Sequence, residues 1–156
     1  MEEFIKYVLD FCMSAVPAVA FAMLFGAPAR YLPYIALGGS ITHLTRSLCM
    51  GYMNFGIVTS TFIASMLISF LFIYIAPKLK VPRPVFTVAS IIPIIPGKFA
   101  YMTLLSAIKI HNLNYDHDVY IILFFQNGML TTAVMLAMGL GIALPPLFFY
   151  RNRPVV

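Results

Sequence analysis

Apolar residues run almost unbroken along this chain, and turn residues cut them into five blocks. The first runs from about Phe4 to Gly26, contains Pro17, and stops at Gly26-Ala27-Pro28, a glycine–proline helix end. The second runs from Pro33 to about Gly51 and the third from about Gly56 to Ala76. Pro77, Pro82 and Pro84, set among Lys78, Lys80 and Arg83, form the next loop. The fourth block, about Val85 to Ile108, is interrupted by Pro93, Pro96 and Gly97. A polar loop from Lys109 to Asp118 leads to the fifth, about Val119 to Phe149, which must tilt or end at Pro145-Pro146. One crossing of a hydrocarbon core takes roughly 20 residues. The pattern therefore predicts an all-α integral membrane protein of about five transmembrane helices, the fourth broken at Pro93-Pro96-Gly97, with residues 1–156 as a single transmembrane domain.

Composition agrees. The 156 residues are 62% hydrophobic and 10% charged, with a mean hydropathy of +0.94. A soluble domain is nearer half apolar and a quarter charged. These values exclude a disordered chain, a nucleic-acid-binding domain and a disulfide scaffold. Cys12 and Cys49 lie inside apolar blocks without CxxC spacing and read as small buried hydrophobes. Ala18-Val19-Ala20 has the small-x-small form of a signal cleavage site, but Met1-Glu2-Glu3-Phe4-Ile5-Lys6 is acidic where a signal peptide starts basic, so this block is expected to be retained as the first span.

The net charge of +5 reads as a topology signal rather than a nucleic-acid surface. With five spans, Arg30, Lys78, Lys80, Arg83, Arg151 and Arg153 fall on one side. Lys6 and Lys109 fall on the other with Glu2, Glu3, Asp116 and Asp118. The positive side is cytoplasmic, so the N-terminus is expected outside and the C-terminus inside. A four-span arrangement requires one block to lie flat or re-enter, and the second, most polar block is the candidate. Small residues recur every four positions in Ser14, Ala18, Ala22 and Gly26, in Gly39, Ser47 and Gly51 around His43, and in Ala133, Ala137 and Gly141. Each set makes one close-packing helix face, for the bundle itself or for a partner subunit.

An ionisable side chain within a span costs about 2.5–3.5 kcal/mol at the centre on insertion scales, which makes each one informative. His43 and Arg46, three residues apart, share a helix face in a stretch made polar by Ser40, Thr42, Thr45 and Ser47. They are expected to line a cationic, hydrated surface that holds an anion. The plain alternatives are a hydrogen-bonded histidine and an arginine snorkelling to the interface. Lys98 directly follows the broken segment. Two prolines and a glycine unwind the span at mid-depth, and broken backbone is tolerated there only when buried in protein or lining a wet cavity. The half-helix opening at Gly97 would present free N–H groups and its positive dipole end, with Lys98 adding a full charge. Discontinuous helices that face an anionic substrate group in this way recur in transporters. Gln126 and Asn127 are further candidates to face such a cavity. Asp10 is the acid inside a span, a candidate for proton coupling or for pairing with a nearby base. His111, Asp116, His117 and Asp118 match no strong metal spacing, and no cofactor motif or catalytic constellation is visible, so no metal, cofactor or enzymatic activity is expected.

The stretch Pro84-Val85-Phe86-Thr87-Val88-Ala89-Ser90-Ile91-Ile92-Pro93-Ile94-Ile95-Pro96-Gly97 resembles the signature stretch of the threonine/serine exporter family. Ala15 to Met23, Gly39 to His43, Ser60 to Ser65 and the Tyr150-Arg151-Asn152-Arg153-Pro154 tail are similar to its short, split-type subunit. Lys98 departs from the family pattern, in which a neutral residue more often follows the Pro-Gly pair. The resemblance covers essentially the whole chain. It implies an exporter of the bacterial inner membrane, built either from one chain of about ten spans or from two proteins, the longer partner subunit carrying the other half. The split pair is similar to a succinate exporter, whereas fused members export threonine and serine. Cations at His43, Arg46 and Lys98 favour a small carboxylate substrate, and the scarcity of acids within the spans tilts this toward a dicarboxylate. The alternatives are a threonine/serine exporter subunit and a non-transporting assembly subunit, although a scaffold has no need for two prolines and a lysine at mid-bilayer.

The charge asymmetry makes a testable statement. A reporter fused after Val156 should be active only in its cytoplasmic form, and one inserted in the 109–118 loop only in its external form. A C-terminal reporter active only outside would overturn the orientation.

Overall fold

A computed structural model of the chain describes residues 2–111 and 117–149, without the side chains of residues 2–4 and 6. Asp116, Arg151 and Arg153 lie outside the described residues. Among those described there are six α-helices and no strand: α1 (Glu2–Leu24), α2 (Leu32–Gly51), α3 (Ile57–Leu79), α4 (Arg83–Ile91), α5 (Gly97–Ile110) and α6 (His117–Phe149). Single 3-10 turns, Ala29–Tyr31 and Ile92–Ile94, precede α2 and follow α4. The all-α architecture and the interrupted fourth block are as the hydrophobic pattern predicts.

Three helices, α1, α3 and α6, contain stretches long and apolar enough to cross a membrane, and the broken pair Arg83–Ile94 and Gly97–Ile110 makes a fourth if it is one span. By length and composition alone three or four of the five expected blocks qualify as spans, and α2 is the block that falls short. It has 20 residues, but Ser40, Thr42, His43, Thr45, Arg46 and Ser47 dilute its hydropathy. The 33-residue α6 would be about 50 Å long at 1.5 Å per residue. It keeps Pro145 and Pro146 inside the helix rather than ending at them.

The chain divides into two compact units, residues 1–94 with 137–156, and residues 95–136. In the first, α2 packs against α1, α3 and α4. Its core is Ala18, Ala22, Tyr31, Ile35, Ile68, Phe72, Ala76, Phe86 and Ala89. Phe72 and Phe86 stack at 5.3 Å between centroids, and Tyr31 meets Phe86 edge-on at 5.5 Å. The four-residue spacing of small side chains serves this packing: Ser14, Ala18 and Ala22 are buried. A Cβ on Gly39 would meet Ala18 Cβ at 2.5 Å, and one on Gly38 would meet Ser90 Oγ at 2.3 Å and the Phe72 ring at 2.9 Å. On the last part of α6 a Cβ on Gly141 would meet the Phe62 carbonyl oxygen of α3 at 2.8 Å. Hydroxyls tie the same helices together, as interhelical polar contacts do in lipid. Ser40 donates to the Phe11 carbonyl at 2.7 Å, and Ser69 to the Ile142 carbonyl at 2.9 Å. Cys12 and Cys49 are free thiols; Cys49 is buried as expected, whereas Cys12 is exposed.

Within the second unit, residues 95–136, α5 and the first part of α6 meet where Gly128 lies against Thr103, 3.4 Å from the methyl to an added Cβ.

The close approach at Gly39 sets an expected outcome. Gly39→Ala should destabilise the protein by about 1–3 kcal/mol through overpacking, seen as a lower unfolding temperature in detergent. Gly139→Ala should be neutral or slightly stabilising, because an added Cβ there meets nothing within 4 Å and alanine is the better helix former. Equal effects at the two positions would show that α2 does not depend on this contact.

Candidate functional site

The break in the fourth block follows from its prolines. Pro96 has no N–H for a helical bond and disfavours helical backbone at Ile95. The chain passes this point in an inverse γ-turn: Pro96 has φ −78° and ψ 53°, and the Gly97 N–H donates to the Ile95 carbonyl at 2.8 Å. Helix α5 then opens at Gly97 with no side-chain cap. The N–H groups of Lys98 and Phe99 therefore stand outside the helix's own ladder, at its positive dipole end. The Gly97 N–H does not join them. The expected set of free donors after the break is smaller by one, because the γ-turn uses it.

Before the break, the Ile94 carbonyl would in a continuous helix accept from the N–H four residues on. Here it accepts instead from Arg46 Nη1 at 2.9 Å. Arg46 is thus committed to protein backbone rather than snorkelling free, and it supplies the partner that a carbonyl at membrane depth requires.

His43 lies one turn earlier on the same face of α2. It lines a cavity of about 220 Å³ with Asp10, Met13, Ser14, Pro17 and Pro93. Its Nδ1 is buried and has no hydrogen-bond partner among the described residues. The Ser14 hydroxyl is turned to the Asp10 carbonyl. Helices α1 and α2 and the turn Ile92–Ile94 so gather an acid, an imidazole and one proline of the break around one cavity, with Arg46 anchored next to them. The cavity is polar and roomy enough for water or a small polar group.

Gly97, Lys98, Gln126 and Asn127 belong to the second unit. Gly97, Lys98 and Gln126 are exposed, and Asn127 is half-buried. Asn127 Nδ2 donates to the Leu123 carbonyl of its own helix at 2.8 Å. A larger cavity of about 490 Å³ lies against α6 at Phe124, Phe125, Met129 and Leu136. It is apolar: the hydroxyl of Thr132, which also lines it, is spent on the Gly128 carbonyl at 2.9 Å. It is a poorer candidate for a carboxylate than the smaller cavity at His43.

Two parts of the site escaped sequence reading. Pro93 reads as a helix breaker and serves also as a cavity wall. The Ile94 carbonyl is a backbone atom that no residue letter announces. Asp10, singled out in the sequence as the acid inside a span, continues four residues earlier the face made by Ser14, Ala18 and Ala22.

This broken backbone falls within residues 10–148, which match the family described as Threonine/Serine exporter, ThrE. The chain belongs to the threonine/serine exporter family. An uncharacterized protein of Haemophilus influenzae is 37% identical over 154 residues, which cover 97% of this chain and 50% of that protein. The chain therefore spans about half the length of the curated relative it matches. No solved structure matches it. Membership in an exporter family, with the apolar helices, marks this as a membrane protein of a transport family.

For this exporter-family chain the Arg46–Ile94 bond is directly testable. A charge-assisted hydrogen bond is worth about 1.5–3 kcal/mol. Arg46→Met should lower stability by that order and raise amide hydrogen exchange selectively over residues 92–100. Unchanged exchange there would show that the break is held by other contacts.

Proposed function

We propose that this chain is one subunit of a two-component exporter of a small carboxylate metabolite, succinate, working with a larger partner subunit of the same family in the bacterial inner membrane. The observation that carries this reading is the family match over residues 10–148, which includes the whole broken span. The half-length match to a longer relative supports a second component. In this reading the N-terminus lies outside and the C-terminus in the cytoplasm, and the chain is one transmembrane domain of the assembled exporter. Lys98 and the N–H groups that open α5 receive a carboxylate, His43 faces the translocation path, and Arg46 holds the break open. Gln126 and Asn127 supply polar surface, Gln126 by its exposed amide.

A second reading is favoured by Asp10, which lines the same cavity as His43. An acid beside the path suits the ammonium group of threonine or serine and repels a second carboxylate. Transport in vesicles holding this chain, with and without its co-purified partner, separates the possibilities when succinate, threonine and serine are each supplied.

Transport is expected only with both chains. Lys98→Met should weaken substrate affinity by roughly tenfold or more, since about 1.4 kcal/mol corresponds to tenfold and a charge-assisted bond is worth about 1.5–3 kcal/mol. Asp10→Asn should leave succinate affinity unchanged or improved, whereas under the second reading it lowers affinity for threonine. Full transport by this chain alone refutes the two-component proposal. Wild-type affinity in Lys98→Met removes that lysine from the site.

A further inference from the structure

No acidic residue occurs between residues 11 and 115, so the cations of this long stretch have no carboxylate within it. Arg46 uses a backbone carbonyl. Three others, Arg30, Lys78 and Lys80, converge on one cavity of about 420 Å³ with Tyr31, Tyr34 and Leu79. We propose that this cavity is a binding site for the phosphate headgroup of an anionic phospholipid.

The site is built rather than incidental. Tyr31 is buried, held edge-on by Phe86, and its hydroxyl donates to the Leu79 carbonyl at 3.4 Å. Arg30 in turn donates to the Tyr31 hydroxyl and sets its guanidinium carbon 4.5 Å from the centroid of the same ring. One buried tyrosine thus ties the entrance of α2 to the end of α3 and fixes an arginine at the cavity, using part of that arginine's five-donor fork.

Lys80 is the second observation. It ends α3 in the left-handed conformation, φ 54° and ψ 40°, with its N–H bonded to the Ala76 and Pro77 carbonyls. Glycine is the usual residue at such a helix end because it adopts positive φ freely. A lysine gains from the helix's negative end but carries local strain that glycine avoids. A costly backbone conformation held where a cation enters a cavity is the pattern of a functional position.

The position selects a lipid over a soluble anion. The cavity lies where α3, a helix apolar enough to span, ends and where α2 begins. The exposed Tyr34 has the amphipathic ring that settles at headgroup depth. Exposed Leu37 follows it by one turn on α2, and exposed Tyr74 precedes Lys78 by one turn on α3. Both helices thus expose an apolar or aromatic side chain one turn in from the cations, where an acyl chain under a bound headgroup would run. Basic pockets at helix ends are a recurring way of holding anionic headgroups.

The test uses the purified full chain, with its partner if the two co-purify, in neutral detergent micelles. Phosphatidylglycerol, cardiolipin, phosphatidylcholine and inorganic phosphate are titrated separately, with retention followed by native mass spectrometry and unfolding temperature. Phosphatidylglycerol or cardiolipin should be retained and should raise the unfolding temperature, while phosphatidylcholine and phosphate do neither. Lys78→Gln combined with Lys80→Gln should weaken this retention at least tenfold, and Lys109→Gln, a charge removed elsewhere, should not. Lys80→Gly guards against misfolding: it should weaken retention while leaving the lipid-free unfolding temperature the same or higher. Equal retention of phosphatidylcholine, wild-type retention by the double variant, or the same stabilisation by inorganic phosphate alone would each overturn the lipid site.

Discussion

Hydrocarbon offers no partner for a backbone carbonyl or N–H, and each one left open there costs several kcal/mol. A span broken by proline creates such groups on both sides of the break, so a fold that keeps the break must supply their partners from the protein. Two short-range solutions meet this demand. The Gly97 N–H turns back on the Ile95 carbonyl, and the Ile94 carbonyl takes Arg46 from the neighbouring helix. The second requires α2 to run close to the broken segment. Gly38 and Gly39 provide the room, since a side chain at either would strike α1, α3 or α4.

The same demand accounts for the low hydropathy of α2. Three of its polar residues are spent on protein groups rather than presented to lipid: Ser40 on the Phe11 carbonyl, Thr42 on the Gly38 carbonyl of its own turn, and Arg46 on the Ile94 carbonyl. A helix packed against α1, α3 and α4 turns much of its polar face to protein. Hydropathy therefore ranks α1, α3 and α6 as spans and passes over α2, although α2 packs against α1, α3 and α4.

That contrast marks what was legible in the sequence. The helix limits near Gly26 and Gly51 follow from glycine and proline, and the break follows from Pro93, Pro96 and Gly97, because these residues act on their own backbone; the end expected at Ala76 does not hold, since α3 carries Pro77 inside it and runs to Leu79. The small-residue faces were legible too, since spacing of four is a property of one helix. Pairings between helices were not. Nothing in the letters joins Arg46 to the carbonyl of Ile94, and the proline pair at 145–146 leaves open whether the last helix ends there, whereas α6 continues to Phe149. Lys98 read as the strongest candidate from position alone. The structure places it on an exposed surface of the second unit, while an orphaned nitrogen on His43 marks a cavity in the first.

The distribution of acids bears on what this family member moves. Asp10 is the acid that lines a cavity with the His43 imidazole, and no other acid follows it before residue 116. An acid retained at a membrane-depth cavity is costly unless something offsets its charge. A proton, a neighbouring cation or a substrate ammonium would each do so. A dicarboxylate supplies none of these, so its passage would require Asp10 to be neutralised by another group while the substrate is bound. A zwitterion brings its own neutralising charge and leaves its carboxylate for the cations. The cation excess of the chain favours the first kind of substrate and this single carboxylate favours the second. Because Asp10 is one charge against several, the choice between the two substrates of the proposed exporter turns on which group faces this carboxylate rather than on the count of basic residues.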